Sequence, residues 1–280
     1  MPPRIAVVGS GGAALGEVTV PGLVDLEKRG IDTFVGTSVS AVLAALGGGR
    51  RACELPDIWD EVADVGRPWF MRPNADLWNG AFTLNPTRNQ IEARRAGRKL
   101  KLDTRVGLVD IATRAHRVVR LNELGYRDRL DAIIGSSTQP AIHERTKLQG
   151  RYVVDGGVKH VASPLPKWWT YDEVHYFFCS PVGPERTVLE LPQREVNSAL
   201  EQAVAALDCF LDVVARRDYA RVRRQAAQAK EQGLNVRFKV YSPESWTVIG
   251  ESFDASPELS KARRAEGARM YGDPIFDSHA

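Results

Sequence analysis

IAVVGSGGAALGEVTVPGLVDLEKRGIDTFVGTSVSAVLAAL, residues 5–46, carries two strand–loop–helix units back to back. Ile5 to Val8 is a short apolar run that ends in Gly9-Ser10-Gly11-Gly12, the pattern of a buried strand entering a tight glycine turn. From Glu17 to Arg29, Val20, Leu23, Val24 and Leu26 recur on one helical face, and Gly30 follows where a helix takes its C-terminal glycine. Thr33 to Val35 reads as a second strand. Ser38 to Leu46 then reads as a second helix, stopped by Gly47-Gly48-Gly49. Strands and helices alternating at this spacing predict a parallel sheet covered by helices.

Working outward, the strand and helix signals continue. Strands are expected over 106–112, 118–121, 150–154, 174–179 and 236–241, with a helix near 127–134. A long amphipathic helix is expected over 195–232, where Val196, Leu200, Val204, Leu207, Leu211 and Val214 keep a three-to-four spacing. Ser256-Pro257-Glu258 opens a last helix with a cap, a first-turn proline and an early acid. Residues 50–100 have a different texture. Trp59, Trp69, Phe70, Trp78 and Phe82 stand among prolines, and a basic helix-like stretch runs from Arg88 to Lys101. That region is either a satellite layer on the core or a cap over a site. No internal repeat or convincing linker appears, so residues 1–280 are expected to form a single domain.

Composition narrows the function classes. Of 280 residues, 43% are hydrophobic and 26% charged, which is ordinary globular usage. Lysine and arginine total 38 against 35 acids, a formal charge of +3. That excess is too slight to imply nucleic acid, though it permits weak attraction to an anionic lipid surface. Cys53, Cys179 and Cys209 lack paired spacing and read as buried thiols in a reducing compartment. The amino terminus lacks the long apolar region of a secretory signal, and no stretch approaches the roughly 20 apolar residues of a membrane span. A soluble, cytoplasmic protein is expected, with transient membrane contact allowed.

The candidate chemistry centres on Val35-Gly36-Thr37-Ser38-Val39-Ser40-Ala41. A serine at a sharp turn between strand and apolar helix is the setting of a nucleophile elbow, which demands small residues two positions either side. Gly36 meets that demand, and Ser40 replaces the usual second glycine. Taken alone, the serine reads more readily as a helix cap. Three further features bear on it. The loop Gly9 to Gly16 leaves backbone N–H groups unobstructed, fit for a phosphate or an oxyanion. Gly9-x-Gly11-x-x-Ala14 also matches a dinucleotide-binding loop loosely, but Asp32 precedes the second strand, whereas that fold needs an acid at its far end. Next, Asp155-Gly156-Gly157 follows the apolar run Tyr152-Val153-Val154, where a carboxylate can reach a neighbouring site; by itself it is a turn. Last, His116, His143, His160, His175 and His279 are scattered, so a hydrolase here has a carboxylate as its only base.

These residues resemble the patatin-like phospholipase family. The ordered trio is a glycine-rich loop (Gly11 to Gly16), the elbow Gly36-Thr37-Ser38 and the distant Asp155-Gly156-Gly157. Phe82-Thr83-Leu84-Asn85-Pro86, Gly135-Ser136-Ser137 through Pro140, and the tail from Phe253 to Met270 extend the likeness over nearly the whole chain. The resemblance implies a three-layer α/β/α sandwich, patatin-like, with a central mostly parallel sheet. It implies Ser38 as nucleophile, Asp155 as base, and the backbone of Gly11, Gly12 and Ala13 as oxyanion hole. Gly9, Gly16, Gly36, Thr37, Ser40, Gly156 and Gly157 support that frame. The implied reaction is hydrolysis of a lipid or phospholipid ester through an acyl-serine, with no metal and no cofactor. Ala13 replaces a family glycine, Leu15 its arginine and Ser40 the second elbow glycine. Those departures make a weakly active or inactive lipid-binding relative the alternative, and a nucleotide-binding α/β protein the second. Oligomeric state, head group and acyl length are not legible.

Overall fold

The computed structural model describes residues 2–183, 199–250 and 254–279. Strand β1 (Ile5–Gly9) leads through a 3-10 turn into helix α1 (Val20–Arg29), which Gly30 ends in a left-handed conformation. Strand β2 (Thr33–Thr37) and helix α2 (Val39–Gly47) follow. Helix α3 (Leu55–Val65), the small hairpin β3 (Arg72–Pro73) and β4 (Phe82–Thr83), and helix α4 (Asn85–Ala93) make up the next segment. Then come β5 (Asp103–Asp110), β6 (Ala115–Arg120), α5 (Tyr126–Ser136), β7 (Thr146–Leu148), β8 (Arg151–Asp155) and β9 (Glu173–Phe177). Helix α6 (Ala199–Glu231), β10 (Arg237–Tyr241), the short α7 (Trp246–Ile249), α8 (Pro257–Gly272) and β11 (Phe276–Asp277) complete the chain.

The sheet runs β11-β10-β9-β1-β2-β5-β8-β7, with β6 also on β5. The pairs from β10 across to β5 are parallel, and the pairs outside that block are antiparallel. Side-chain alternation along β1 assigns the layers. Ile5 and Val7 enter the core under α1, α2, α3, α5 and α8, whereas Ala6 and Val8 face the core shared with α6. Helices thus cover both faces of a mostly parallel sheet, the three-layer α/β/α arrangement expected from the sequence. Among the described residues, no helix is long and apolar enough to cross a membrane.

Several local expectations change. Residues 94–100 are not a helix; α4 ends at Ala93 and Arg95 takes a positive φ. The first four residues of the long helix predicted over 195–232, and Phe253, lie outside the described residues. Cys179 is buried, but Cys53 and Cys209 are exposed. The aromatic stretch also divides. Trp59, Trp69 and Phe70 pack on one another, with ring centroids 5.8 and 5.1 Å apart, and Phe82 is half-buried against the same core. Trp78, between β3 and β4, is 98% exposed.

Candidate active site

Parallel sheets leave a crevice beyond the carboxyl ends of their strands, where the order of connection reverses. Here β1 has β2 on one side and the much later β9 on the other. The loop after β1 and the turn after β2 therefore open into one crevice. Ser38 sits in that turn with φ 57° and ψ −124°, a conformation that costs a non-glycine residue energy and persists where surroundings enforce it. The enforcement is steric. A Cβ on Gly36 would overlap the backbone of Ser40 and Ala41, so strand and helix cross at contact distance. Ser40 is accommodated because Gly9 opposite it has no side chain; a Cβ there would overlap the Ser40 hydroxymethyl group. The Ser40 hydroxyl donates to the Ser10 carbonyl at 2.7 Å, so the residue that departs from the elbow pattern ties α2 to the glycine loop.

Register brings Asp155 to the same level. Thr37 lies beside Gly107 on β5, and the next residue, Leu108, lies beside Asp155 on β8. Ser38 and Asp155 thus flank β5 and line a common crevice with Gly11, Gly12 and Ala13. Asp155 is buried and accepts from the Gly157 amide at 2.7 Å. Burial pushes its carboxyl up to about 6, while the Gly157 amide and a side-chain contact from Ser38 pull the other way. Gly156 has no room for a Cβ, which would overlap Gly107, and a Cβ on Gly16 would overlap Val39.

A brace that sequence reasoning left without a role connects the two sides. The Ser136 hydroxyl donates to Gly107 O at 2.6 Å and accepts from the Ser38 amide at 3.1 Å. Ser137 Oγ donates to the Ser38 carbonyl at 3.0 Å, and the Asp155 amide donates to Thr138 O at 2.8 Å. The end of α5 therefore clamps both residues. Thr37 Oγ1 is hydrogen-bonded to Ser163 Oγ at 2.7 Å, behind the elbow.

The loop amides are not equivalent. Gly11 N–H donates to Val161 O at 3.0 Å, so one of the three expected oxyanion donors is already engaged. Among the described residues, the amides of Gly12 and Ala13 meet no internal acceptor. Ala13, the residue that replaces a glycine, holds a positive φ of 47°. Leu15 is buried in the core beneath the loop.

Ser38 also lines a second, apolar cavity of about 800 Å³ including its open mouth. Leu46 of α2, Leu55 and Trp59 of α3, Trp69 and Leu84 form its wall, with Gln139 and His143 on the remaining side. Among the described residues, no histidine lines the crevice that holds Ser38 and Asp155. His160, close in sequence to Asp155, turns its ring to Asp218 of α6 at 2.8 Å and packs edge-on against His116. His175 is buried between Glu173 and Tyr241. His143 shares the apolar cavity with Ser38. Neither its spacing nor its neighbours in sequence marked it.

No family model matches the chain, and a search of curated proteins finds no match. Among solved structures, it is similar to VipD from Legionella pneumophila at 11% identity and a TM-score of 0.46. The alignment covers 97% of this chain and 66% of that one. At that distance the site stands on its own geometry.

Proposed function

We propose that the chain is a lipid acyl hydrolase that cleaves carboxylic esters with a Ser38–Asp155 dyad. The observation that carries this reading is Ser38 itself. It is held at a strained elbow facing a buried carboxyl on one side and an apolar cavity on the other. The cavity is walled by apolar side chains, among them Leu46, Leu55, Trp59 and Trp69, and takes the acyl chain.

The Ser38 hydroxyl attacks the ester carbonyl carbon as Asp155 removes its proton. The oxyanion forms against the Gly12 and Ala13 amides, which are fixed before reaction. The tetrahedral intermediate collapses with loss of the alkoxide, which takes the proton back from Asp155, and acyl-Ser38 remains. Water, deprotonated by Asp155, attacks the acyl-serine and releases the carboxylic acid and the free hydroxyl of Ser38. An ordinary aspartate is a weak base for this work; the burial that lifts Asp155 to about 6 brings it nearer the range of a general base. On this reading the chain acts as a single unit, and residues 50–100 serve as the cap that walls the acyl cavity.

A fluorophosphonate probe tests the proposal, because only an activated serine reacts with it. Labelling of the wild type, absent in folded Ser38→Ala, is the expected result. Label retained by folded Ser38→Ala overturns the assignment.

A further inference from the structure

Buried polar atoms without a hydrogen-bond partner cluster in one place. Eight such atoms occur among the described residues, and four belong to side chains that line the apolar cavity beside Ser38. They are Nε1 of Trp59, Nε1 of Trp69, Oε1 of Gln139 and Nε2 of His143. Their residues are 3%, 5%, 8% and 6% exposed, so bulk water does not serve them. A plain alkyl chain would leave all four unmet, each with the full desolvation cost of an unpaired group.

The chemistry of two of these atoms is settled by their surroundings. The Gln139 backbone N–H donates to His143 Nδ1 at 3.0 Å, so that nitrogen carries no proton. Burial pushes the imidazole down to about 4, against the upward pull of the Ser137 backbone beside it, and the ring is neutral at physiological pH. The single ring proton is then on Nε2, a donor without an acceptor. Gln139 Oε1 is an acceptor without a donor. A hydroxyl group on a bound chain satisfies both, accepting from His143 and donating to Gln139. Gln139 lines both the apolar cavity and the crevice that holds Asp155. Gln139 therefore stands, with Ser38, where the two meet, at the ester end of a bound chain, and His143, which its backbone N–H contacts, lies on the apolar side.

We propose that the cavity selects an acyl group carrying a hydroxyl close to its carbonyl, on the second or third carbon, received between His143 and Gln139. This rests on the acyl-hydrolase reading for its substrate. The cavity's preference is separable from catalysis, and the experiment uses that. Binding of octadecanoic acid and of its second- and third-carbon hydroxy derivatives to Ser38→Ala protein is followed by tryptophan fluorescence, since Trp59 and Trp69 line the cavity. In parallel, wild-type kcat/KM is measured for the matching nitrophenyl esters and for a short soluble ester.

One hydroxy acid should bind about tenfold more tightly than the plain acid, the scale of one net hydrogen-bond pair. The hydroxy-to-plain ratio should fall towards unity in His143→Phe and in Gln139→Leu. Equal binding of hydroxy and plain acids by the wild-type cavity overturns the proposal, and points to ordered water as the partner of these atoms. So does a parallel loss for both acids in either variant, which would mean that the pair only braces the wall. If the short ester is not cleaved while the hydroxy acid binds better, the hydrolase reading fails and the cavity preference stands.

Discussion

Two cavities meet at Ser38, and they are built from different materials. The crevice that holds Asp155 is made of backbone. Its shape follows from glycines whose missing Cβ atoms let chains touch, and its residues are fixed by hydrogen bonds to main-chain groups. The apolar cavity is made of side chains from α2, α3, the segment after α3 and the turn after α5. A backbone frame cannot be altered without moving the strands, whereas a wall of side chains can be resized at little cost to the fold. Changes on the first side should therefore abolish turnover, and changes on the second should redirect it.

The largest effect should come from the dyad. Asp155→Asn keeps the shape and the Gly157 contact but removes the base. Turnover of a short ester should drop by about 10²–10⁴-fold. In the wild type the rate should fall as pH drops through about 6, because the carboxyl takes up a proton there. The same variant carries an opposite signature in stability. The folded carboxyl binds its proton more tightly than the unfolded one, so native stability declines as pH rises from about 4 to about 6. Asp155→Asn escapes that decline, and should melt at higher temperature than wild type at pH 7 but not at pH 4. A histidine-to-glutamine variant as inactive as Asp155→Asn, and still folded, would replace the dyad by a triad; His143 is the one to test first.

Next comes the brace. Ser136→Ala leaves the buried Ser38 amide without its acceptor and frees Gly107 O, with a loss of about 1–3 kcal/mol. If that loss falls on the positioned elbow, kcat on the short ester should drop about tenfold or more with little change in KM. A variant with unaltered kcat and lower stability would show that the brace serves the fold alone.

The same contrast explains what could be read from the chain. Gly9, Gly36, Ser38 and Asp155 lie at strand ends, where local periodicity and glycine spacing report geometry directly. The helix-covered parallel sheet followed from the strand–helix order of residues 5–46. The brace was not legible, because Ser136, Ser137 and Thr138 act on residues 98, 99 and 17 positions away through contacts that only the sheet register creates. The cavity wall was half legible. Aromatics among prolines marked the segment, but nothing in the sequence separated buried Trp69 from Trp78 on the hairpin turn.

That pair supplies a sharper test. Trp69→Ala enlarges the cavity and should shift kcat/KM between long and short acyl esters by about tenfold. Trp78→Ala, exposed and outside the lining, should leave the ratio unchanged with soluble esters. A change of equal size in both would mean that the hairpin closes over the cavity during turnover.

The smallest effect tests the backbone side at its weakest point. Ala13 holds a left-handed φ of 47° at one of the two loop amides without an internal partner. A side chain in that region costs about 1–2 kcal/mol, and glycine removes the cost while loosening the unfolded chain by a comparable fraction. Ala13→Gly should therefore raise stability by no more than about 1 kcal/mol, or a few degrees in Tm for a chain of this length. The loop conformation is already set by Gly12, by the Gly11 bond to Val161 and by the Ser40 bond to Ser10. Activity should consequently change by less than about threefold, since even 0.6 kcal/mol is a factor of that size. A gain of about a hundredfold would be a different result altogether. It would mean that the alanine methyl group displaces the amide from the oxyanion, and that the present chain is a weakened relative of a more active enzyme.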